Sequence, residues 1–159
     1  MKTNAISGLL LGLGLLAGCH PRARNEESQL LKKVLFDYFD GIRDKDHEKM
    51  KDATTDDFLV YEEGKAWTND SVFREMERVS PFRVNFEFDH FKVFVDNESG
   101  HMSYFEQAHF VFRDTLKRNL NFLGSASFRK TADGWKMNFM HATPRYQKRK
   151  PKIINQLQP

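Results

Sequence analysis

The sequence predicts an α+β fold in which a curved antiparallel sheet wraps around a long N-terminal helix, with two shorter helices beside it. Residues 82–142 are predicted to form four long strands, because apolar and polar residues alternate and turn residues separate the runs. Upstream, apolar residues recur at helical spacing between positions 31 and 42. Long strands with one apolar face must bury it, and the helices are the available cover.

The first helix is expected to begin near Asn25, where a capping side chain precedes two acids, and to run for about 17 residues. Asp46 is expected to cap a short second helix over residues 47–53. A third helix is expected over residues 71–79, ending before Pro81. The apolar stripe of the first helix consists of Leu31, Val34, Leu35, Tyr38, Phe39 and Ile42.

The strand pattern contains one irregularity and one strand of particular interest. A short strand is expected at residues 58–62, before the four long ones. In the first long strand the apolar phase changes near His90, which predicts a β-bulge, since one extra residue swaps the faces of a strand. The last long strand is predicted to place four side chains on its inner face, namely Trp135, Met137, Phe139 and His141.

The N-terminal residues are typical of a secretory signal, with Lys2, an apolar run over residues 6–17 and small residues after it. The run is about 12 residues long, whereas a membrane-spanning helix needs about 20. The segment 16–19, Leu-Ala-Gly-Cys, resembles the lipobox of bacterial lipoproteins, and Cys19 is the single cysteine. The alternative is a plain secretory signal followed by an incidental cysteine.

The lipobox reading divides the chain into a signal peptide (1–18), a lipidated Cys19 with a short tether (19–25), a folded domain (26–143) and a tail (144–159). Cleavage before Cys19 would leave acyl chains such as palmitate on this residue, anchoring the protein to a membrane. The expected location is the bacterial cell envelope, facing the periplasm. The outer membrane is slightly favoured, since His20 replaces the aspartate that marks inner-membrane retention in some bacteria.

The charge balance argues against a nucleic-acid partner. The chain has 25 Lys and Arg against 22 Asp and Glu, a formal net charge of +3, which is too mild for a nucleic-acid-binding protein. Positive residues are concentrated in the tail between Arg145 and Lys152. Two interpretations of the tail remain open: a solvated segment, or a segment that contacts anionic lipid head groups.

Four stretches resemble the NTF2-like superfamily, in particular its SnoaL-like or DUF4440-type members. They are residues 36–46, 55–61, 67–76 and 134–143, and the resemblance extends over residues 27–143. It implies a cone-shaped roll around the first helix. Members of the superfamily include isomerases, dehydratases, cyclases and epoxide hydrolases, and also many non-catalytic binding or dimerisation modules. The resemblance therefore predicts the fold and leaves the function open.

The alternation predicts that three polar side chains point inward, namely Tyr104, Glu106 and His141. With symmetric turns, Glu106 would pair with Ala126, and Gly124 would pair with His141. Small residues on an inner face leave room for a ligand, and this face carries Ala108, Gly124 and Ala126. Burial would raise the pKa of Glu106 and lower that of His141, which would suit both to proton transfer.

The predicted pocket therefore has catalytic candidates Glu106, His141 and Tyr104. Its predicted ligand-binding residues are Tyr61, Trp67, Tyr104, Glu106, Gly124 and His141. The alternative is structural: Glu106 pairs with an arginine or a backbone amide, and His141 is a core histidine with satisfied hydrogen bonds. No metal or cofactor is predicted, because the sequence lacks metal-binding and nucleotide-binding motifs.

The outer sheet face is predicted to be mixed rather than polar. Its expected members are Phe105, Gln107, Val111, Leu123, Ser125, Ser127 and Met140. NTF2-like domains often dimerise through this face, so a homodimer is expected. Two function classes remain open. One is a non-catalytic envelope lipoprotein that binds a small apolar ligand or a protein partner. The other is a pocket enzyme of the isomerase, dehydratase or hydrolase type that uses Glu106 and His141 for proton transfer.

Overall fold

The computed structural model describes residues 21–145, with side chains from Asn25 onward. Within this range the chain forms three helices, α1 (Pro21–Asp44), α2 (His47–Asp52) and α3 (Asn69–Val79). The strands are β1 (Thr54–Glu62), β2 (Lys65–Trp67), β3 (Phe82–Val95), β4 (Ser99–Phe112), β5 (Leu116–Thr131) and β6 (Gly134–Pro144). The order of elements agrees with the prediction. Among the described residues, no helix has the length and apolar character needed to cross a membrane.

The predicted apolar stripe of α1 forms the centre of the core. Leu31, Leu35 and Tyr38 are fully buried against the concave face of the sheet. The predicted start of this helix is wrong, because the helical backbone begins at Pro21 rather than near Asn25. Part of the predicted tether therefore belongs to the helix. The predicted cap of α2 is confirmed, since the Asp46 carboxylate accepts a hydrogen bond from the Lys49 amide.

The six strands form one open, curved sheet in the order β2-β1-β6-β5-β4-β3. The four long strands β3–β6 are antiparallel, as predicted. The direction of β1 was not predicted; it runs parallel to β6, so the sheet as a whole is mixed. This pairing follows from the path of the chain. After α3 the chain crosses to the β3 edge and returns strand by strand, so that β6 arrives beside β1 in the same direction.

The β-bulge predicted near His90 is confirmed. Asp89 is opposite Phe105, but Lys92 is opposite Ser103, so β3 contains one extra residue at this point. His90 itself has a φ of 53°, a left-handed conformation that is uncommon outside glycine. The bulge lets Phe91, as well as the residues before it, pack on the core.

A second bulge, in β6, overturns the predicted position of His141. Ser127 is opposite Phe139 and Phe128 is opposite Met137, which leaves Asn138 without a partner position on β5. Met137 and Met140 are therefore both buried, while His141 is exposed on the outer face. Met140, which was predicted to lie on the outer face, is an inner residue for the same reason.

The predicted register of β4 and β5 is also wrong. Glu106 is opposite Phe122 instead of Ala126, and Gly124 is opposite Tyr104 on one side and Ala142 on the other. The difference arises at the turn. Strand β5 begins at Leu116, directly after the 113–115 turn, whereas the symmetric-turn assumption placed its start further along the chain.

Gly124 is required by close packing against Tyr104. A Cβ atom at Gly124 would lie 2.2 Å from Cε2 of Tyr104, whose ring is only 2% exposed. We therefore expect Gly124→Ala to lower the free energy of unfolding by about 1–3 kcal/mol, the usual cost of overpacking. Urea titration measures the change. The Gly124→Ala cost should be smaller in a Tyr104→Leu background, and an equal cost in both backgrounds would show that the Tyr104 ring is not the cause.

Candidate functional site

A cavity of about 440 Å³ lies between α1, α3 and the concave face of the sheet. Most of its wall is apolar. The apolar lining consists of Phe39, Ile42, Val60, Trp67, Val72, Met76, Val79, Phe82, Phe86, Ala108, Phe110, Phe112, Leu120, Phe122, Met140 and Ala142. The exposed side chains Glu63, Lys65 and Arg118 also line it and mark its opening to solvent.

Glu106 lies inside this cavity because the alternation of β4 directs it, with Tyr104 and Ala108, to the inner face. The residue is only 5% exposed. Within the described part of the chain, its carboxyl takes part in no hydrogen bond and no salt bridge. Burial raises the pKa of Glu106 to about 8, and the nearby charge of Glu62 adds to the effect. At neutral pH the Glu106 carboxyl is therefore mostly protonated.

Glu62 is a second cavity carboxyl, from the end of β1. Val60 and Glu62 share the inner parity of this strand, while Tyr61 between them faces outward. Burial raises the pKa of Glu62, and the charge of Glu63 contributes further. No hydrogen bond or ion pair of the Glu62 carboxyl is found among the described residues.

Two phenols complete a group of four acids that we call the acid cluster: Tyr38, Glu62, Tyr104 and Glu106. Tyr38 comes from α1, lines the cavity and is fully buried. Within the described residues, neither phenol hydroxyl has a hydrogen-bond partner. Burial raises the pKa of both phenols, and the charge of Glu62 acts on each of them. Burial thus favours the uncharged form of each member, and the charge of Glu62 reinforces this for Tyr38, Tyr104 and Glu106.

Of the predicted ligand-binding residues, Glu106 and Trp67 line the cavity. The Trp67 Nε1 donates a hydrogen bond to the Glu62 carbonyl oxygen at 3.4 Å, which fixes the indole against β1. Tyr104 and Gly124 lie in the core instead, with the Tyr104 ring occupying the space beside the glycine. The space that was predicted beside Gly124 is therefore filled by the Tyr104 ring. Of the three small residues, Ala108 borders the cavity.

Tyr61 and His141 lie on the opposite face of the sheet from Glu106. They are neighbours across the β1–β6 pair, Tyr61 is 47% exposed, and His141 is also exposed. The Nε2 atom of His141 lies 3.2 Å from the Thr143 hydroxyl. The expectation that Glu106 and His141 reach one bound molecule is therefore wrong, because the sheet separates them.

Sequence reasoning missed Tyr38 and Glu62 as cavity residues. Tyr38 was assigned to the apolar stripe of α1, and Glu62 was placed in the short predicted strand over residues 58–62 without a role in the pocket. Because Glu62 is two residues after Val60 in β1, the alternation of the strand would have identified Glu62 as an inward-facing residue. Across residues 25–145, no group of three or more His, Cys, Asp and Glu side chains is arranged to hold a metal ion. The acid cluster contributes only two carboxyls to one place.

The unpaired Glu106 carboxyl predicts a specific pH dependence of stability. The unfolded chain loses this proton near pH 4.5, whereas the folded chain keeps it up to about pH 8. Between these values the folded state binds more protons, so its stability falls as the pH rises. The loss of stability caused by Glu106 is therefore zero below pH 4.5, grows as the pH rises, and reaches roughly 5 kcal/mol above pH 8.

We expect Glu106→Gln to remove this loss, so that the variant is more stable than the parent at pH 9 and similar to it at pH 4. Denaturant titrations at several pH values measure the effect. Glu77→Gln is the control, because Glu77 is exposed on α3 and does not line the cavity. A parent and a Glu106→Gln variant with parallel pH profiles would contradict the burial of an unpaired carboxyl.

Comparisons with known proteins agree with this architecture. The family model for the SnoaL-like domain matches residues 31–146. An NTF2-like superfamily protein from Salmonella enterica superimposes with a TM-score of 0.69 at 12% identity, covering 80% of this chain and 97% of that one. A search of curated proteins found no match.

Two further structures show the same fold in proteins of different description. A ketosteroid isomerase-like protein from Erwinia carotovora has a TM-score of 0.62 at 15% identity, covering 77% of this chain and 99% of that one. The association domain of C. elegans CaMKII has a TM-score of 0.63 at 15% identity, with coverages of 76% and 98%. At these identities the likeness establishes the fold alone. The chain belongs to the SnoaL-like domain family and has the NTF2-like fold.

Proposed function

We propose that this protein is a cell-envelope lipoprotein whose NTF2-like domain binds a small, mostly apolar ligand. The cavity carries this proposal. Its volume of about 440 Å³ falls within the range of roughly 300–1,000 Å³ that is typical of small-molecule sites. Its walls are mainly apolar, and a few polar groups converge inside it, as in sites that bind an apolar body and orient it by one polar group.

The cavity favours a small ligand over the protein partner that the sequence left open. A protein partner would dock on a surface, whereas the unpaired Glu106 carboxyl is buried and lines the cavity. Burying a carboxyl without a hydrogen-bond partner costs free energy. This cost supports a function in which a ligand enters the cavity and contacts Glu106. The predicted homodimer through the outer face stays a prediction.

A second candidate function is proton transfer by Glu106 in an enzyme of the isomerase or dehydratase type. The favouring observation is a carboxyl that holds its proton at neutral pH inside an apolar cavity. Such an enzyme would have to work without His141, which lies on the other face of the sheet. A substrate-binding cavity is common to both candidates, so ligand binding is the function to test first.

Filling the cavity should weaken ligand binding. We expect the neutral fluorophore N-phenyl-1-naphthylamine to bind the full chain with an increase in emission. Ala108→Phe should weaken this binding by about tenfold or more, because the new ring occupies ligand space. Fluorescence titration gives the dissociation constants. Ser125→Phe is the matched control, since Ser125 is an exposed residue of the outer face.

Equal binding by the Ala108→Phe and Ser125→Phe variants would show that the fluorophore does not use the cavity. Absence of binding to the parent chain at millimolar fluorophore would count against the proposed function. Ala142→Leu, a smaller change in the same wall, provides a second variant if Ala108→Phe fails to fold.

The lipid anchor is the second part of the proposal, and it falls on residues outside the described range. It is supported by the position of Cys19 after an apolar run and small residues, and by the absence of any other cysteine in the sequence. Attachment at Cys19 would hold the domain at the periplasmic side of a bacterial membrane, with the outer membrane slightly favoured. Acyl chains on this residue would provide the anchor.

Metabolic labelling with an alkyne analogue of palmitate tests the anchor in bacterial cells. We expect label on the parent chain and none on Cys19→Ser, since no other thiol is present. The double variant Cys19→Ser/Ser80→Cys restores a cysteine at an exposed position and should also remain unlabelled. Label on either variant, or an unlabelled parent, would contradict lipidation at Cys19.

A further inference from the structure

The inner part of the cavity contains acids without a positive partner. Glu62 and Glu106 line it, and neither carboxyl forms an ion pair with a described residue. Lys65 is exposed, and its ammonium lies over the Trp67 ring at 5.2 Å from the ring centre. Arg118 is exposed at the opening. Glu75, also in the wall, is already paired with Arg78.

The cavity wall also contains a buried hydroxyl. Tyr38 is fully buried and lines the cavity, and its oxygen has no hydrogen-bond partner within the described residues. Buried polar groups in folded proteins are nearly always paired. Because the Tyr38 oxygen is itself inaccessible, the groups that can meet a ligand are the carboxyls of Glu62 and Glu106. Their lack of a positive partner among the described residues indicates that the bound molecule supplies one.

We propose that the ligand is a hydrophobic monoamine bound as its ammonium ion, with the charged group between Glu62 and Glu106 and the apolar part along the Phe-rich wall. This inference rests on the proposed function and names the chemical class of the ligand. Trp67 borders the same space and adds to its apolar wall.

Other ligand chemistries fit less well. An anion would meet two carboxyls in a medium of low dielectric, where like charges repel strongly. A calcium ion needs six to eight oxygen ligands. The inner part of the cavity supplies only the carboxyls of Glu62 and Glu106, since Glu63 is exposed at the opening and Glu75 is paired with Arg78. A single positive charge matches the two carboxyls better than either.

Binding of an ammonium ion should release a proton. Glu106 is mostly protonated without ligand and would ionise beside a bound cation, giving its proton to solvent. Other groups that face the cavity also set this balance. They are Tyr38 on α1, Glu62 and Glu63 at the β1 end, Lys65 on β2, Glu75 on α3 and Arg118 on β5. Tyr104 on β4 lies in the adjacent core and interacts electrostatically with Glu106.

Calorimetric titration of the full chain with 4-phenylbutylamine and with 4-phenyl-1-butanol tests the inference. The two probes have nearly the same shape and differ in charge. We expect the amine to bind about tenfold or more tightly than the alcohol, because a charge-assisted hydrogen bond replaces a neutral one. Titrations at pH 7 in two buffers of different ionisation enthalpy should also reveal up to about one proton released with the amine.

Substitutions of the two carboxyls test whether they cause the preference for the amine and the proton release. Glu106→Gln should reduce the preference for the amine by about tenfold and abolish the proton release, and Glu62→Gln should reduce the preference independently. Glu77→Gln, the same change outside the cavity, should leave both quantities unchanged. Because Glu62→Gln alters a different strand, it keeps the test decisive if Glu106→Gln fails to fold.

Equal affinity for the amine and the alcohol would overturn the inference and leave the proposed function standing. Failure of both probes to bind would count against the proposed function itself, and the inference would fall with it. A preference for the amine that survives both Glu106→Gln and Glu62→Gln would place the ammonium elsewhere and would likewise overturn the inference.

Discussion

The contact between α1 and the concave face of the sheet sets the shape of the interior. At one end the helix lies close to β4, since a Cβ atom at Gly100 would lie 2.4 Å from Cδ1 of Leu31. Seven residues further along the helix, Tyr38 lines the cavity, and Ile42 does so beyond it. The interior therefore widens from the start of β4 towards its end, where Glu106 and Ala108 face the empty space. The cavity is a consequence of this taper.

The taper also explains why the acids are buried and unpaired. Alternation in β4 directs Tyr104 and Glu106 to the same face, and the first fills the narrow part while the second reaches the wide part. The carboxyl is enclosed by apolar walls, so its charged form is penalised and the fold loses stability as the pH rises. Buried polar groups normally have hydrogen-bond partners, and exceptions such as Glu106 are expected at functional sites.

The β-bulge in β3 could be predicted from the sequence, whereas the one in β6 could not. In β3 a polar residue, His90, interrupts the alternation, so the change of phase is visible. In β6 the extra residue is Asn138, and both Phe139 and Met140 after it are apolar, so the old alternation continues unbroken in the sequence. His141 was misplaced for this reason. The fold depends on patterns that span many residues and could be predicted, whereas the site depends on single-residue register and turn length and could not.

The two candidate functions use the same carboxyl in opposite states. A proton-transfer enzyme needs Glu106 to keep its proton until a substrate atom takes it. A receptor for an ammonium ion needs Glu106 to lose that proton when the ligand arrives, since a neutral carboxyl offers little electrostatic attraction. Glu62 shifts the balance, because its negative charge holds the proton on Glu106 while the cavity is empty. A bound cation cancels that charge and frees the proton, so the ionisation of Glu106 in the occupied cavity separates the two functions.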